Sequence, residues 1–209
     1  MMVHQNNSPQ PTKNASVSDD KNLMSIAQYL KDGQSGHKRS IPPLEQWHPK
    51  HCGIMDLKIK ANGEWWHEGQ LIKRQALIDL FSTVLWKEQD TFYLKTPVEQ
   101  IEIEVEDEPL FVNQVDQVQI EGKTYLQLTT TTQDIVIVDQ AHPIFMRDYV
   151  TEDQKTELRP YIHVRFGINA LIQRSAFFHL IEMGKLLENE QGEAILNLQS
   201  GDFNLQLGT

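Results

Sequence analysis

Residues 160–180 read PYIHVRFGINALIQRSAFFHL. The first seven alternate, with Ile162, Val164 and Phe166 on one side of an extended chain and Tyr161, His163 and Arg165 on the other. Asn169 is then a good helix N-cap by type, and Leu171, Ile172, Phe178, Ile181 and Leu186 recur as a wide apolar stripe. The helical part has an echo one hundred positions earlier: LIKRQALIDL, residues 71–80, shares Leu71/Leu171, Ile72/Ile172, Arg74/Arg174, Ala76/Ala176 and Leu80/Leu180. Gly69 and Asn169 stand at the same spacing, so the helix starts match as well as the bodies. The pairing predicts a duplicated α/β unit of class α+β.

Working outward from the first copy, Leu57, Ile59 and Ala61 alternate with Asp56, Lys58 and Lys60. Asn62-Gly63 then predicts a type I′ turn, because both of its central positions need positive φ, and Glu64-Trp65-Trp66 returns as the partner strand. Ile72, Ala76, Leu77, Leu80, Phe81, Val84 and Leu85 recur at helical spacing, and TFYLK (91–95) reads as a strand. Thr96-Pro97 opens the next stretch, in which Ile101, Ile103 and Val105 alternate with Glu102, Glu104 and Glu106. Three acids on one face read more simply as the wet side of an edge strand than as a metal site. FVNQVDQVQI, a turn at Glu121-Gly122, KTYLQLTT and DIVIVD continue the β-rich run. The expected second domain is therefore a curved antiparallel sheet capped by a helix. Near the end, AILNLQSGDFNLQLGT reads as a hairpin, with Leu196 and Leu198 facing Phe203, Leu205 and Leu207. A hairpin alone is marginal, so it packs on the core or on a second copy of the chain as a homodimer contact.

These readings divide the chain into a polar tail and linker over 1–46, disordered over 1–20 with a short helix at SIAQYLKDG (25–33). A first α/β domain follows over 47–95, a β-rich domain with its capping helix over 96–188, and the hairpin over 189–209. Against 19 basic residues stand 29 acidic, a formal charge of -10, which argues against nucleic acid polymers and anionic membranes. One cysteine, Cys52, excludes an intrachain disulfide, and its expected place is buried at the start of the first strand. Neither a signal peptide nor an apolar run of roughly 20 residues is evident, so the expected location is cytoplasmic.

Two arrangements carry chemistry. Arg74 and Arg174 fall near helix N-termini, in line with Leu77, Ile78 and Phe81 and with Phe177, Phe178 and Ile181, so each is expected beside a buried stripe with an anionic or carbonyl-rich partner. That partner is either internal, with Asp56 or Glu104 serving Arg74, or a ligand phosphate or carboxylate in a groove between the halves. Tyr161, His163 and Arg165 combine an aromatic ring, an imidazole and a fixed cation, suited to stacking on a base and holding a phosphate, or to packing against the first domain. His48, His51 and Cys52 lack the further ligands a zinc site needs, and no metal is expected. No nucleophile elbow, Walker loop or dinucleotide fingerprint is present, which leans the reading away from an enzyme. A nucleotide-acting hydrolase or transferase using His163 is the weakest alternative.

CGIMDLKI, NGEWWHEG, LIKRQALIDLFSTVL, YLKTPVEQIEIEVEDEP and PYIHVRFGINALIQRSAFF, in that order, resemble the bacterial family catalogued as domain of unknown function 1285, over about residues 47–182. The resemblance implies a duplicated α/β core, a second half like a pleckstrin-homology fold, and a nucleotide-like ligand held between the halves in signalling. Its motif positions fall on Asp56, Trp65, Gly69, Arg74, Thr96, Pro97, Glu106, Asp107, Pro109, Tyr161, Arg165 and Arg174. Leu71 stands where the family tends to have proline, and Glu108 with Leu110 interrupts its acid-acid-Ala-Pro-Phe run. Taking the residue reading and the resemblance together, the candidate ligand-binding residues are Tyr161, His163, Arg165, Arg174, Arg74 and Thr96, with an adaptor or oligomerisation module as the alternative.

Overall fold

The computed structural model describes residues 40–188, 192 and 194–208. The expected tail and the 25–33 helix lie outside the described residues. After a 3-10 turn at Leu44–Gln46 the chain enters β1 (His51–Ile59), whose Met55, Leu57 and Ile59 are buried as their alternation requires. β2 (Trp65–His67) returns antiparallel to it, but the connection is a three-residue loop and not a type I′ turn. The Gly63 amide donates to the Lys60 carbonyl at 2.8 Å, only Gly63 has positive φ (+89°), and the Asn62 side chain accepts the Glu64 amide at 3.0 Å.

Gly69 does not start a helix. Gln70–Leu71 forms β3 on β2, and α1 spans Gln75–Ser82 with Arg74 as its N-cap. α1 ends early because the Thr83 hydroxyl and amide both donate to Leu80's carbonyl, at 2.6 and 3.1 Å. Val84 and Leu85, which match the helical spacing, are buried in the turn and the start of β4 (Leu85–Glu88). β5 (Thr91–Lys95) and β6 (Glu99–Val105) complete a six-stranded sheet of order β3-β2-β1-β6-β5-β4. β6 is central, parallel to β1, and not an edge strand: its Glu104 and the following Glu106 pair with Lys58 of β1 at 2.8 and 2.9 Å. The expected division after Lys95 thus falls inside this sheet.

The second sheet has order β10-β11-β12-β7-β8-β9, formed by β7 (Leu110–Ile120), β8 (Lys123–Thr130), β9 (Ile135–Ile137), β10 (Ile144–Val150), β11 (Thr156–Arg165) and β12 (Ile168–Ile172). It is mixed where a purely antiparallel sheet was expected, since β12 runs parallel to β7. Asn169 lies within β12 and caps no helix. Phe166-Gly167, both at positive φ (51° and 73°), turn β11 directly into β12, and α2 begins only at Arg174, running to Met183. Both sheets are built the same way: three strands step outward from the centre, three step back, and the first and last lie parallel side by side. The helices are not equivalent in this scheme. α1 joins the two strand triplets of the first sheet, whereas α2 follows the whole of the second.

A third sheet of β13 (Lys185–Glu188), β14 (Ala194–Ser200) and β15 (Phe203–Gly208) carries the expected hairpin, with Leu196 opposite Leu207 and Leu198 opposite Leu205. Leu186 lies in β13 and not in α2. The sheet packs in cis: Leu196, Leu198 and Leu207 join the common core, the Leu126 amide donates to the Ser200 hydroxyl at 3.0 Å, and the Gly201 amide donates to Thr124's carbonyl at 2.8 Å. Cys52, expected buried, is exposed at the start of β1. Among the described residues no helix is long and apolar enough to cross a membrane, and no cluster of three or more His, Cys, Asp or Glu is placed to hold a metal.

Candidate functional site

The tyrosine, histidine and arginine of β11 go to three different environments. Arg165 bridges the two domains: its Nε donates to Asp134 of the second at 3.1 Å, and its two terminal nitrogens donate to the main-chain carbonyls of Ser82 (2.7 Å) and Leu85 (3.4 Å) of the first. With a side chain only 12% exposed it ties the end of α1 and the start of β4 to the second sheet. The adjacent Phe166 ring packs on Trp86 at 5.1 Å, so the tight β11–β12 turn is the joint between the domains. A multidentate guanidinium suits such a joint, because carbonyls at the end of a short helix need donors that no neighbouring strand supplies.

Tyr161 is fully buried. Its hydroxyl donates to both oxygens of Asp107, at 2.8 and 3.0 Å, and burial together with that bond pushes its pKa up to about 12. Asp107 and Glu108 lie on the segment joining β6 to β7, with side chains only 2% and 1% exposed. Arg147 reaches both carboxylates, at 2.7 and 2.9 Å, and its guanidinium stacks 4.1 Å over the Tyr161 ring. Arg159, directly opposite Arg147 on the hairpin, contacts Asp107 at 3.3 Å, and the Asn169 amide donates to Glu108 at 2.9 Å. Desolvation works against each arginine's charge, but the carboxylate bonds outweigh it and both are held above their ordinary range.

His163 is half-buried beside Asn169 (3.3 Å), and its ring stacks on His142 at 6.2 Å. His142 is oriented by Asp139 through Nδ1 at 2.9 Å. Asp107, Glu108, Arg147, Arg159 and Tyr161 thus form an acid–arginine network. Sequence reading singled out neither Arg147 nor Arg159, although two arginines opposite each other on a hairpin are tolerable only with acids between them. Thr96 is buried in a turn, where its hydroxyl meets the amides of Val98 and Glu99 and the Glu99 carbonyl.

The groove between the halves forms elsewhere. A cavity of about 190 Å³ is lined by Asn62, Gly63 and Gln75 from the first domain and Phe111, Thr132 and Gln173 from the second. Gln75 is the first residue of α1 and Gln173 the N-cap of α2, and neither helix start has a side-chain cap. Arg74 and Arg174 are therefore next in chain to residues lining the same groove from opposite sides. Neither sits over a buried stripe as expected; both are exposed, Arg74 as the extended N-cap of α1 and Arg174 as the first residue of α2. Glu104, the internal partner considered for Arg74, is taken by Lys58. Among the described residues neither arginine makes an ion pair, and Arg174 contacts only the Phe178 ring, at 5.6 Å.

Comparison with known proteins follows the same boundaries. The N-terminal domain profile of domain of unknown function 1285 matches residues 42–108 and its C-terminal domain profile residues 109–207, so the match extends past residue 182 to include the terminal hairpin. No curated protein matches. The crystal structure of a family member from Silicibacter pomeroyi DSS-3 is 30% identical, with a TM-score of 0.72, covering 88% of this chain and 94% of its own. One from Shewanella baltica OS155 is 22% identical over 60% of this chain and 90% of its own, with a TM-score of 0.46. The chain belongs to the family of domain of unknown function 1285.

Proposed function

We propose that the protein is a cytoplasmic binding module that holds a small anionic, nucleotide-like ligand in the groove between its two domains and acts in signalling. The observation that carries this reading is the convergence on one groove of two helix starts without a side-chain cap, each flanked by an exposed arginine that makes no ion pair among the described residues. Free amides at a helix start favour negative charge, and an exposed guanidinium adds a bidentate partner for phosphate or carboxylate. The 190 Å³ of the groove suits the anionic group itself, with the rest of the ligand lying over the rim. Arg165 and Tyr161 serve this site by fixing the domains that form it. A pleckstrin-homology-like character for the second domain belongs to the same reading, supported by α2 packed against β7. A thermal-shift screen over nucleotides and inorganic phosphates at low salt tests the proposal. A stabilising compound whose effect disappears in Arg74→Ala/Arg174→Ala supports it, and an identical response in the variant contradicts it.

A second reading, an interaction module, is favoured by the exposure of Phe178, Met183, Leu186 and Leu187 on α2 and β13. If these side chains make a homodimer contact, Leu186→Glu/Leu187→Glu lowers the mass measured by light scattering. An unchanged mass removes this surface from any self-association.

A further inference from the structure

The terminal three-stranded sheet and the β7–β8 hairpin enclose a second cavity, of about 590 Å³, distant in the chain from the interdomain groove. On one side, Lys185 of β13 lies directly opposite Asn197 of β14, and Gln199 follows two residues along the same face. On the other stand Gln117, Lys123 and Thr124. Two features are unspent. The Asn197 side-chain oxygen is buried without a hydrogen-bond partner, and Lys185 makes no ion pair among the described residues. Lys123 is held by Asp202, so the described lining residues include two lysines and one aspartate, in a chain of net charge -10.

The geometry points to a binding site here for a small polyhydroxylated anion, of the sugar phosphate or sugar acid class. The amides of Asn197, Gln199 and Gln117 and the Thr124 hydroxyl offer both donors and acceptors, which hydroxyl groups satisfy in either sense. A side-chain oxygen buried with no partner is costly, and a ligand hydroxyl donating to it removes that cost. Lys185 supplies the charge partner for the anionic group. Among the described lining residues no aromatic ring offers a stacking surface for a nucleobase, so the ligand class proposed here differs from that proposed for the groove.

The test is an NMR titration of the labelled full chain with glucose 6-phosphate, glucose and inorganic phosphate, run on the wild type, on Lys185→Glu and Lys185→Gln, and on Arg74→Ala/Arg174→Ala. Lys185 is exposed on an edge strand, so its variants keep the fold. Glucose 6-phosphate is expected to move the side-chain amide resonances of Asn197 and Gln199. Its affinity should fall by about tenfold or more in Lys185→Glu and stay unchanged in the double arginine variant. Unmoved resonances at millimolar probe overturn the site. Equal shifts with inorganic phosphate alone overturn the hydroxyl recognition. Shifts confined to Gln75 and Gln173 put the probe in the interdomain groove, which overturns the second site and leaves the first standing.

Discussion

Arg165 shows what one residue contributes to holding the domains. Arg165→Ala removes one charged contact from Asp134, itself only 5% exposed, and strips donors from two carbonyls of the first domain. Loss of these three hydrogen bonds is expected to cost about 2–4 kcal/mol in urea unfolding, and Arg165→Lys recovers only part of it because an ammonium cannot span three acceptors. Tyr161 adds a pH dependence. Its folded pKa of about 12 lies above the ordinary 10.0, so its contribution is complete below about pH 10 and is lost as pH rises toward 12. Tyr161→Phe should therefore lower stability near neutral pH by about 1–2 kcal/mol and flatten the alkaline fall of the melting temperature between pH 10 and 12. An unchanged alkaline slope would remove Tyr161 from that role. The sequence made these residues visible as a strand face of ring, imidazole and cation. What it could not reveal was that their partners, Asp107, Ser82 and Leu85, lie some 54 to 83 positions away.

Elements were legible where the local pattern and the packing agree. β1, β5, β6, β8 and the β14–β15 hairpin follow period-two alternation, and Glu121-Gly122 forms its turn with both residues at positive φ. The helices were over-read. Ile72, Val84, Leu85, Leu171 and Leu186 sit at helical spacing but belong to strands, turns and loops, since short apolar segments fit either period. β10 and β12 escaped for related reasons, β10 because PIFMRDYV mixes apolar and charged residues, β12 because Asn169 looks like a cap while its amide serves Glu108. The Asn62-Gly63 loop gives a prediction at this scale. A Cβ on Gly63 would stand 3.1 Å from the Phe111 ring of the other domain, on a backbone at φ +89°. Gly63→Ala should cost about 1–2 kcal/mol, while Asn62→Ala, which loses only an exposed side-chain bond, should cost less. Chemical denaturation of both variants decides the order, and equal costs would show that the φ and the Phe111 contact do not matter.

At the scale of the molecule, the hundred-residue echo pointed to a real duplication through a correspondence that is not one. The two sheets share a strand order, but the helices bearing the matching letters occupy different places in it. Arg74 and Arg174 are nonetheless each adjacent in the chain to a residue lining one groove, Gln75 from the first domain and Gln173 from the second, and the proposed ligand of this groove is an anion. A crystal structure of the protein with adenosine diphosphate at low ionic strength tests that claim most directly. A phosphate is expected against the starts of α1 and α2, within hydrogen-bond reach of Arg74 or Arg174. An empty groove at saturating ligand, or phosphate bound away from both helix starts, would contradict it.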